Sequence, residues 1–194
     1  GGWARMAGVR EGGLDVVVEE GGRRRAAAQR ISAVLASSGY AREDHQDEGR
    51  APLTAKLVAN IIAAAGADRV LAMDMHAAQI QGFFDIPVDH MHASPAIVEY
   101  FTGIREQLGD LVLVSPDVGN VKMANAYANW LGGELAIIDK RRKSGSEVVS
   151  ANIIGEVKGK TALMVDDMIS TAGTMCEASR LLMDRGAKDV MAAC

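Results

Sequence analysis

The chain has 194 residues, of which 48% are hydrophobic and 24% charged, and its net charge is −4. No apolar run approaches the roughly 18 residues of a membrane span, and the basic excess typical of a nucleic-acid surface is missing. Only two cysteines occur, Cys176 and Cys194, so the composition predicts free thiols in a reducing cytoplasm, with neither a membrane nor a nucleic acid as partner.

The first thirty residues are rich in Gly and Arg and do not begin with Met, which indicates a cut or divergent start. An organelle transit peptide is also Arg-rich, but it is poor in acidic residues. Glu11, Asp15, Glu19 and Glu20 therefore count against a transit peptide.

From residue 31 onward, short apolar runs alternate with longer amphipathic ones, a pattern typical of βα units around a mainly parallel sheet. The candidate strands are Ile31 to Leu35, Val70 to Met73, Leu111 to Val114, Leu135 to Ile138 and Thr161 to Val165. The candidate helices are a segment opening at Pro52 and closing at Gly66, a second from Ser94 to Gly109, and the segment GNVKMANAYANWLGG.

Two similar segments within the sequence predict that the chain consists of two related halves. AAGADRVLAMD (Ala64 to Asp74) is similar to DRGAKDVMAAC (Asp184 to Cys194), and each reads as a helix end, a turn and a new strand. We expect two α/β domains, residues 1–93 and 94–194, meeting near Met91 to Pro95. Both are expected to be incomplete, with the last strand barely formed at Cys194.

Polar residues follow the predicted strands, where ligands bind in open parallel sheets. They are Asp74 and His76, then Ser115, Asp117 and Gly119, then Asp139, Lys140, Arg141 and Arg142. A lone His is more often structural than a metal ligand or base, and a basic run is usually solvated. Asp117 offers an oxygen suited to Mg²⁺, and the basic run can place cations on polyphosphate oxygens.

The segment LMVDDMISTAGTM supplies the most informative strand end. Asp166 and Asp167 can accept hydrogen bonds from a vicinal diol, and the loop from Ser170 to Thr174 can wrap a phosphate ahead of a helix N-terminus. Both features together predict a sugar-phosphate site. The alternative is that Asp167 only caps a helix and the glycine loop is only a turn.

These motifs resemble those of the ribose-phosphate diphosphokinase family. GYARED, MDMHAAQIQGFFDIPVDH, SPDVGN, IIDKRR and VDDMISTAGT occur in the family's order between Arg30 and Cys194. The resemblance implies two tandem phosphoribosyltransferase-like (Rossmann-like) domains with mainly parallel sheets. It also implies transfer of the diphosphoryl group of ATP to ribose 5-phosphate, Mg²⁺ as cofactor, and a homo-oligomer arranged as a hexamer of dimers.

The resemblance also implies a role for each matching residue. His76 and Asp117 are expected to hold Mg²⁺, and Lys140 and Arg142 to neutralise the transferring group from a mobile loop. Asp166 and Asp167 are expected to bind the ribose hydroxyls. The expected 5-phosphate contacts are Ser170, Thr171, Ala172, Gly173 and Thr174, and the expected ATP contacts are Arg42, Glu43 and Asp44.

Three departures from the family pattern leave alternatives open. Glu43 stands where the family usually has Gln, Ser170 replaces a common Asp, and family chains are far longer. Added negative charge in the nucleotide loop predicts that ribose 5-phosphate binding outlasts ATP binding. The alternatives are a catalytically silent subunit that assembles with active homologues and, less favoured by the motifs, a phosphoribosyltransferase.

Overall fold

The chain divides into two compact units, Gly1–Ala93 and Ser94–Cys194, in a computed structural model. The structure describes residues 12–36, 40–41, 43–45, 53–143, 147–169 and 171–194, with backbone only at 12–16, 140–143 and 147–151. Within these residues, no helix is both long and apolar enough to cross a membrane. Each unit is described separately below.

The first unit contains a three-stranded parallel sheet in the order β1-β2-β3. Its elements are α1 (Gly12–Arg25), β1 (Ser32–Leu35), α2 (Thr54–Ala65), β2 (Arg69–Met73), a short 3-10 helix (Ala78–Phe83) and β3 (Val88–Met91). The central strand β2 alternates between buried and more exposed residues, with Val70 and Ala72 in the core. Helix α2 ends at Gly66, whose positive φ of 114° allows a left-handed cap.

The second unit contains a five-stranded sheet in the order β6-β5-β4-β7-β8. Its elements are α3 (Ser94–Gly103), α4 (Arg105–Leu108), β4 (Leu111–Ser115), α5 (Val121–Leu131), β5 (Glu134–Lys143), β6 (Glu147–Ile154), β7 (Thr161–Val165), α6 (Gly173–Asp184) and β8 (Asp189–Ala193). All pairs are parallel except β5 with β6. Every residue of β4 and β7 is buried, as expected for central strands of a parallel sheet.

The structure confirms the α/β class with mainly parallel sheets, and all five predicted strands are present. The predicted end of the fourth strand at Ile138 was wrong, because β5 continues to Lys143. Residues 137–143 pair antiparallel with β6, so the strand is extended by a partner that local sequence does not show.

Two further elements differ from the prediction. The helix predicted from Ser94 to Gly109 is two helices interrupted at Ile104, whose φ of −110° and ψ of 10° lie outside the helical region. The expectation that the last strand is barely formed was wrong, because β8 is a complete strand that pairs with β7 over five residues from Asp189 to Ala193. Pro52, the predicted helix start, lies outside the described residues.

The two similar sequence segments, Ala64 to Asp74 and Asp184 to Cys194, adopt the same local structure. Gly66 follows α2 and Gly186 lies just after α6, with φ angles of 114° and 85°. A parallel strand begins three residues after each glycine, at Arg69 and at Asp189. Glycine is suited to both positions because it adopts positive φ without the steric penalty of a Cβ atom.

Candidate functional site

The two adjacent aspartates lie at the carboxyl end of β7, which is flanked in the sheet by β4 and β8. Asp166 and Asp167 are each half-buried. Oδ1 of Asp166 accepts hydrogen bonds from Nδ2 of Asn120 and from the backbone N–H of Asp167, both at 3.0 Å. The strand therefore ends in a carboxylate whose orientation is fixed.

Asn120 connects this strand end to that of β4. Its backbone N–H donates to Oδ1 of Asp117 at 3.0 Å, while its side chain donates to Asp166. The hydroxyl of Ser115 donates to the carbonyl oxygen of Asp117 at 2.6 Å. Two predicted site residues, Asp117 and Asp166, thus share one partner that the sequence analysis did not select. Its position between a strand-end motif and the start of α5 was the available signal.

The carboxylates influence one another electrostatically. Burial raises the pKa of Asp166 to about 6. A side-chain hydrogen bond with Asp167 and the negative charges of Asp167 and Asp117 act in the same direction, while the hydrogen bond from the backbone N–H of Asp167 opposes them. A site with this excess of negative charge favours hydrogen-bond donors such as sugar hydroxyls, or a cation. The three carboxylates therefore have the electrostatic character expected of a sugar or metal site.

The capping alternative for Asp167 was wrong. Helix α6 begins at Gly173 with Ala172 as its N-cap, so Asp167 lies well before the helix. Ala172 has a φ of 59°, in the left-handed region, and its carbonyl accepts from the N–H of Cys176 at 2.8 Å. The N-terminus of α6 is therefore capped without the carboxylate of Asp167.

The predicted phosphate loop connects β7 with the N-terminus of α6. Thr171, Gly173 and Thr174 are exposed, Ala172 is half-buried, and Ser170 lies outside the described residues. The first backbone N–H groups of a helix have no partner within the helix, and they favour anions. This strand–loop–helix arrangement can therefore receive a phosphate beside the carboxylates.

Lys140 and Arg142 lie within β5, not in the loop directly after a shorter strand that the sequence had predicted. Lys140 pairs with Ala151 and Arg142 with Val148 of β6, and the register shifts between Arg141 and Arg142. Such a shift marks a β-bulge, which bends a strand and increases its twist. The predicted cations are therefore carried on an antiparallel ribbon.

In the first unit, the predicted nucleotide loop is only partly described. Arg42 lies outside the described residues, and Glu43 is exposed. Asp44 is buried and accepts from Nδ1 of His45 at 2.6 Å and from Nε2 of Gln79 at 2.9 Å. The hydrogen bond from His45 lowers the pKa of Asp44, so this carboxylate is held ionised inside the fold.

His76 is exposed between β2 and the 3-10 helix. It belongs to the first unit and Asp117 to the second, so their joint metal site remains a prediction. Within the second unit, the structure does bring Asp117 together with Asp166 through Asn120.

Two protein-family models match the chain. The model described as "Phosphoribosyl transferase domain" matches residues 88–194, and "N-terminal domain of ribose phosphate pyrophosphokinase" matches residues 19–66. The first covers more than half of the chain and contains β4, β7 and the loop before α6.

Two curated relatives share the name ribose-phosphate pyrophosphokinase. The chain is 58% identical over 172 residues to ribose-phosphate pyrophosphokinase of Rhodopirellula baltica, a match covering 88% of this chain and 54% of that protein. It is also 58% identical over 170 residues to the protein of the same name from Gloeobacter violaceus, covering 87% and 51%. The chain thus spans about half the length of the curated relatives it matches.

A solved structure supports the same relationship. The crystal structure of phosphoribosylpyrophosphate synthetase from Mycobacterium smegmatis superimposes with a TM-score of 0.83 at 42% identity. The match covers 93% of this chain and 58% of that one.

Proposed function

Because the chain belongs to the ribose-phosphate pyrophosphokinase family, we propose that it acts in the transfer of the diphosphoryl group of ATP to ribose 5-phosphate. The products are phosphoribosyl diphosphate, a precursor for nucleotide synthesis, and AMP. The observation that carries the proposal is that Asn120 donates hydrogen bonds to both Asp117 and Asp166. Asp166 precedes the loop that leads into α6.

Substrate positioning is the main task proposed for the second unit. Asp166 and Asp167 accept hydrogen bonds from the ribose hydroxyls, and the loop from Ser170 to Thr174 binds the 5-phosphate through N–H and hydroxyl groups. This holds the acceptor sugar in one orientation at the ends of β4 and β7. Phosphoryl transfer depends chiefly on such positioning and on charge stabilisation, since little covalent chemistry is required of the protein.

The remaining roles concern the ATP side of the reaction. Lys140 and Arg142 are proposed to neutralise negative charge on the transferring group, and Arg42, Glu43 and Asp44 to form the nucleotide loop. The buried carboxylate of Asp44 supports a role in holding this loop through His45 and Gln79 rather than direct contact with phosphate.

Mg²⁺ is proposed as cofactor, with His76 and Asp117 as ligands. The raised pKa of Asp166, to which the charge of Asp117 contributes, supports a cation near these carboxylates. When bound, Mg²⁺ would offset the negative charge of the polyphosphate.

A catalytically silent subunit is the second candidate function. It is favoured by Glu43, an exposed acid in the proposed nucleotide loop. A carboxylate there repels phosphate and weakens ATP binding. Such a subunit would keep the sugar-phosphate site and assemble with active homologues.

An AMP-release assay with ATP, Mg²⁺ and ribose 5-phosphate tests the proposal, combined with calorimetry for ribose 5-phosphate alone. Sugar-phosphate binding with AMP release supports the enzyme, and binding without AMP release supports the silent subunit. Failure to bind ribose 5-phosphate would contradict both. Asp184→Asn, at the far end of α6, serves as a control for removing an aspartate charge.

A cytoplasmic homo-oligomer is proposed as the working form. The free cysteines Cys176 and Cys194 support a reducing compartment. Exposed aromatic residues Tyr100 and Trp130, on α3 and α5, support an interface between copies. Light scattering of the purified chain measures the assembly size, and a monomer at micromolar concentration would contradict it.

A further inference from the structure

The ends of β2 and β3 bring one carboxylate and two imidazoles together. Asp74 directly follows β2, His90 lies in β3, and His92 directly follows β3. The two strands pair in parallel with Ala72 opposite His90. One potential ligand atom from each of the three side chains lies within 4.8 Å of the other two. None of the three has been given a role in the proposed reaction.

Direct contacts already order these side chains. Oδ1 of Asp74 lies 3.2 Å from Nδ1 of His92, and Oδ2 accepts from the N–H of Ala93 at 3.0 Å. The rings of His90 and His92 have centroids 4.5 Å apart and planes inclined by 50°. The backbone N–H of Ala93 fixes the carboxylate of Asp74, and the pairing of β2 with β3 fixes the position of His90 beside it.

We propose that Asp74, His90 and His92 form a binding site for a divalent transition-metal ion of the Zn²⁺ or Co²⁺ type. A pair of imidazole nitrogens suits such ions, whereas Mg²⁺ prefers sites in which most ligands are oxygen atoms and several are waters. Two imidazoles and one carboxylate leave at least one coordination position for water. The site is distinct from the proposed Mg²⁺ ligands His76 and Asp117, and it does not depend on the proposed reaction.

The geometry requires only a small contraction. Tetrahedral ligands about 2.1 Å from an ion are about 3.4 Å apart, so separations that now reach up to 4.8 Å must shorten by at most about 1.4 Å. The side chain of His92 is 63% exposed, which gives it room for that movement. Asp74 is half-buried and anchored by Ala93, and can remain in place.

His90 must exchange one hydrogen bond for the metal. Its Nε2 accepts from the N–H of Met75 at 3.1 Å, and its Nδ1 lies 3.2 Å from Nε2 of Gln81. When Nε2 binds an ion, Nδ1 carries the proton, and the Gln81 amide can rotate to present its oxygen to that N–H. A hydrogen bond to the second ring nitrogen is the usual support for a metal-bound histidine.

Titration of the 194-residue chain with Co²⁺ tests the site through visible d–d absorption, followed by displacement with Zn²⁺. We expect one equivalent to bind. His92→Phe is expected to weaken binding tenfold or more, since even loss of an outer-shell partner commonly costs that much. His90→Gln is expected to do the same.

His45→Phe is the matched control. The side chain of His45 is 62% exposed and its Nδ1 also contacts an aspartate, Asp44, at 2.6 Å. Among the described residues, however, it belongs to no group of three potential metal ligands. Its substitution is therefore expected to leave Co²⁺ binding unchanged.

Three results would overturn the proposal. The first is absence of a Co²⁺ spectrum. The second is binding that both His92→Phe and His92→Asn leave unaltered, with folding verified by circular dichroism. The third is ready displacement by millimolar Mg²⁺, which would identify an oxygen-ligand site elsewhere. Because His92 is exposed, the test stands even when His90→Gln does not fold.

Discussion

Asp166 and Glu20 are both carboxyl groups whose pKa is raised by burial, to about 6 and about 7, yet their surroundings differ. Asp166 accepts from Asn120 and lies at a strand end beside two other aspartates. Glu20 is buried in α1, and neither of its carboxyl oxygens has a hydrogen-bond partner among the described residues. The first arrangement supports ligand binding, whereas the second only destabilises the fold when ionised.

Replacing Glu20 by Gln is expected to stabilise the protein at pH 8. Its folded pKa of about 7 exceeds the ordinary 4.5, so the stability associated with the protonated form is present below pH 4.5 and is lost as the pH rises through 7. Thermal unfolding at pH 4 and pH 8 measures the effect. The gain of roughly 1 to 3 kcal/mol should appear only at the higher pH. Equal gains at both pH values would contradict ionisation as the cause.

Asp166→Asn and Asp167→Asn are each expected to weaken ribose 5-phosphate binding by about 1.5 to 3 kcal/mol, the scale of hydrogen bonds to charged groups. Asp166→Asn should not lower the melting temperature at pH 8. The folded-state pKa of Asp166 is raised to about 6, so its ionised carboxylate destabilises the folded protein at pH 8, and the neutral amide removes that cost. Calorimetry and thermal unfolding separate the two effects. A stability loss with unchanged affinity would show that these residues are structural.

Individual site residues were predictable to different degrees. Asp117 and Asp166 could be found because they lie within two residues of the ends of apolar strands, where parallel sheets place their ligands. Asn120 was missed because its connecting role depends on two strands far apart in sequence. The burial of the Glu20 side chain was not predicted, because its Gly- and Arg-rich surroundings did not indicate that α1 buries one of its faces.

At the scale of elements, the turn after β6 depends on glycine. Gly155 has a φ of 108°, and a Cβ atom there would lie 2.8 Å from the carbonyl oxygen of Leu135 and 3.0 Å from Ala136. Backbone atoms cannot yield as a flexible side chain can. The end of β6 is therefore fixed against the beginning of β5.

Gly155→Ala is expected to lower the free energy of unfolding by about 1 to 3 kcal/mol more than Gly159→Ala, measured by urea denaturation. Gly159 is a matched control because its φ is also positive, 74°, but a Cβ there would meet nothing within 4 Å. Both substitutions carry backbone strain, so their difference isolates the steric contact. Equal losses would mean that the backbone around Leu135 relaxes.

The bounds of strands with a continuous apolar sequence were predicted well. The bounds of strands whose polar residues are held by antiparallel pairing were not. Thr161–Val165 is a continuous buried run, and its bounds were predicted correctly. By contrast, β5 continues through four consecutive basic residues and β6 was missed altogether. Their extent depends on antiparallel pairing between residues 137–143 and 147–154, which is tertiary information.

At the scale of the whole molecule, each unit has its own core. Val70 and Ala72 belong to a cluster within the first unit, and Val112 and Leu163 belong to two clusters within the second. Separate cores predict that residues 94–194 fold without the first unit. Circular dichroism of that fragment should show cooperative unfolding, and a non-cooperative melt would show that its core needs further support.

Ribose 5-phosphate is expected to bind the whole chain more tightly than ATP. Its proposed site lies within one unit, at the ends of β4 and β7, whereas the nucleotide loop carries Glu43. Calorimetry with each ligand separately measures the difference. Glu43→Gln should strengthen ATP binding and leave ribose 5-phosphate affinity unchanged. Tighter ATP binding by the unaltered chain would contradict the expectation.

The central position of β4 also determines the order in which the second unit can assemble during synthesis. Val112 pairs with Glu134, 22 residues later, but Leu111 pairs with Thr161, 50 residues later. One edge of this apolar strand therefore has no partner until residues 161–165 have left the ribosome. Such delayed pairing slows folding and exposes a strand edge to other chains, so shielding of β4 by a chaperone during synthesis is expected to favour folding over aggregation.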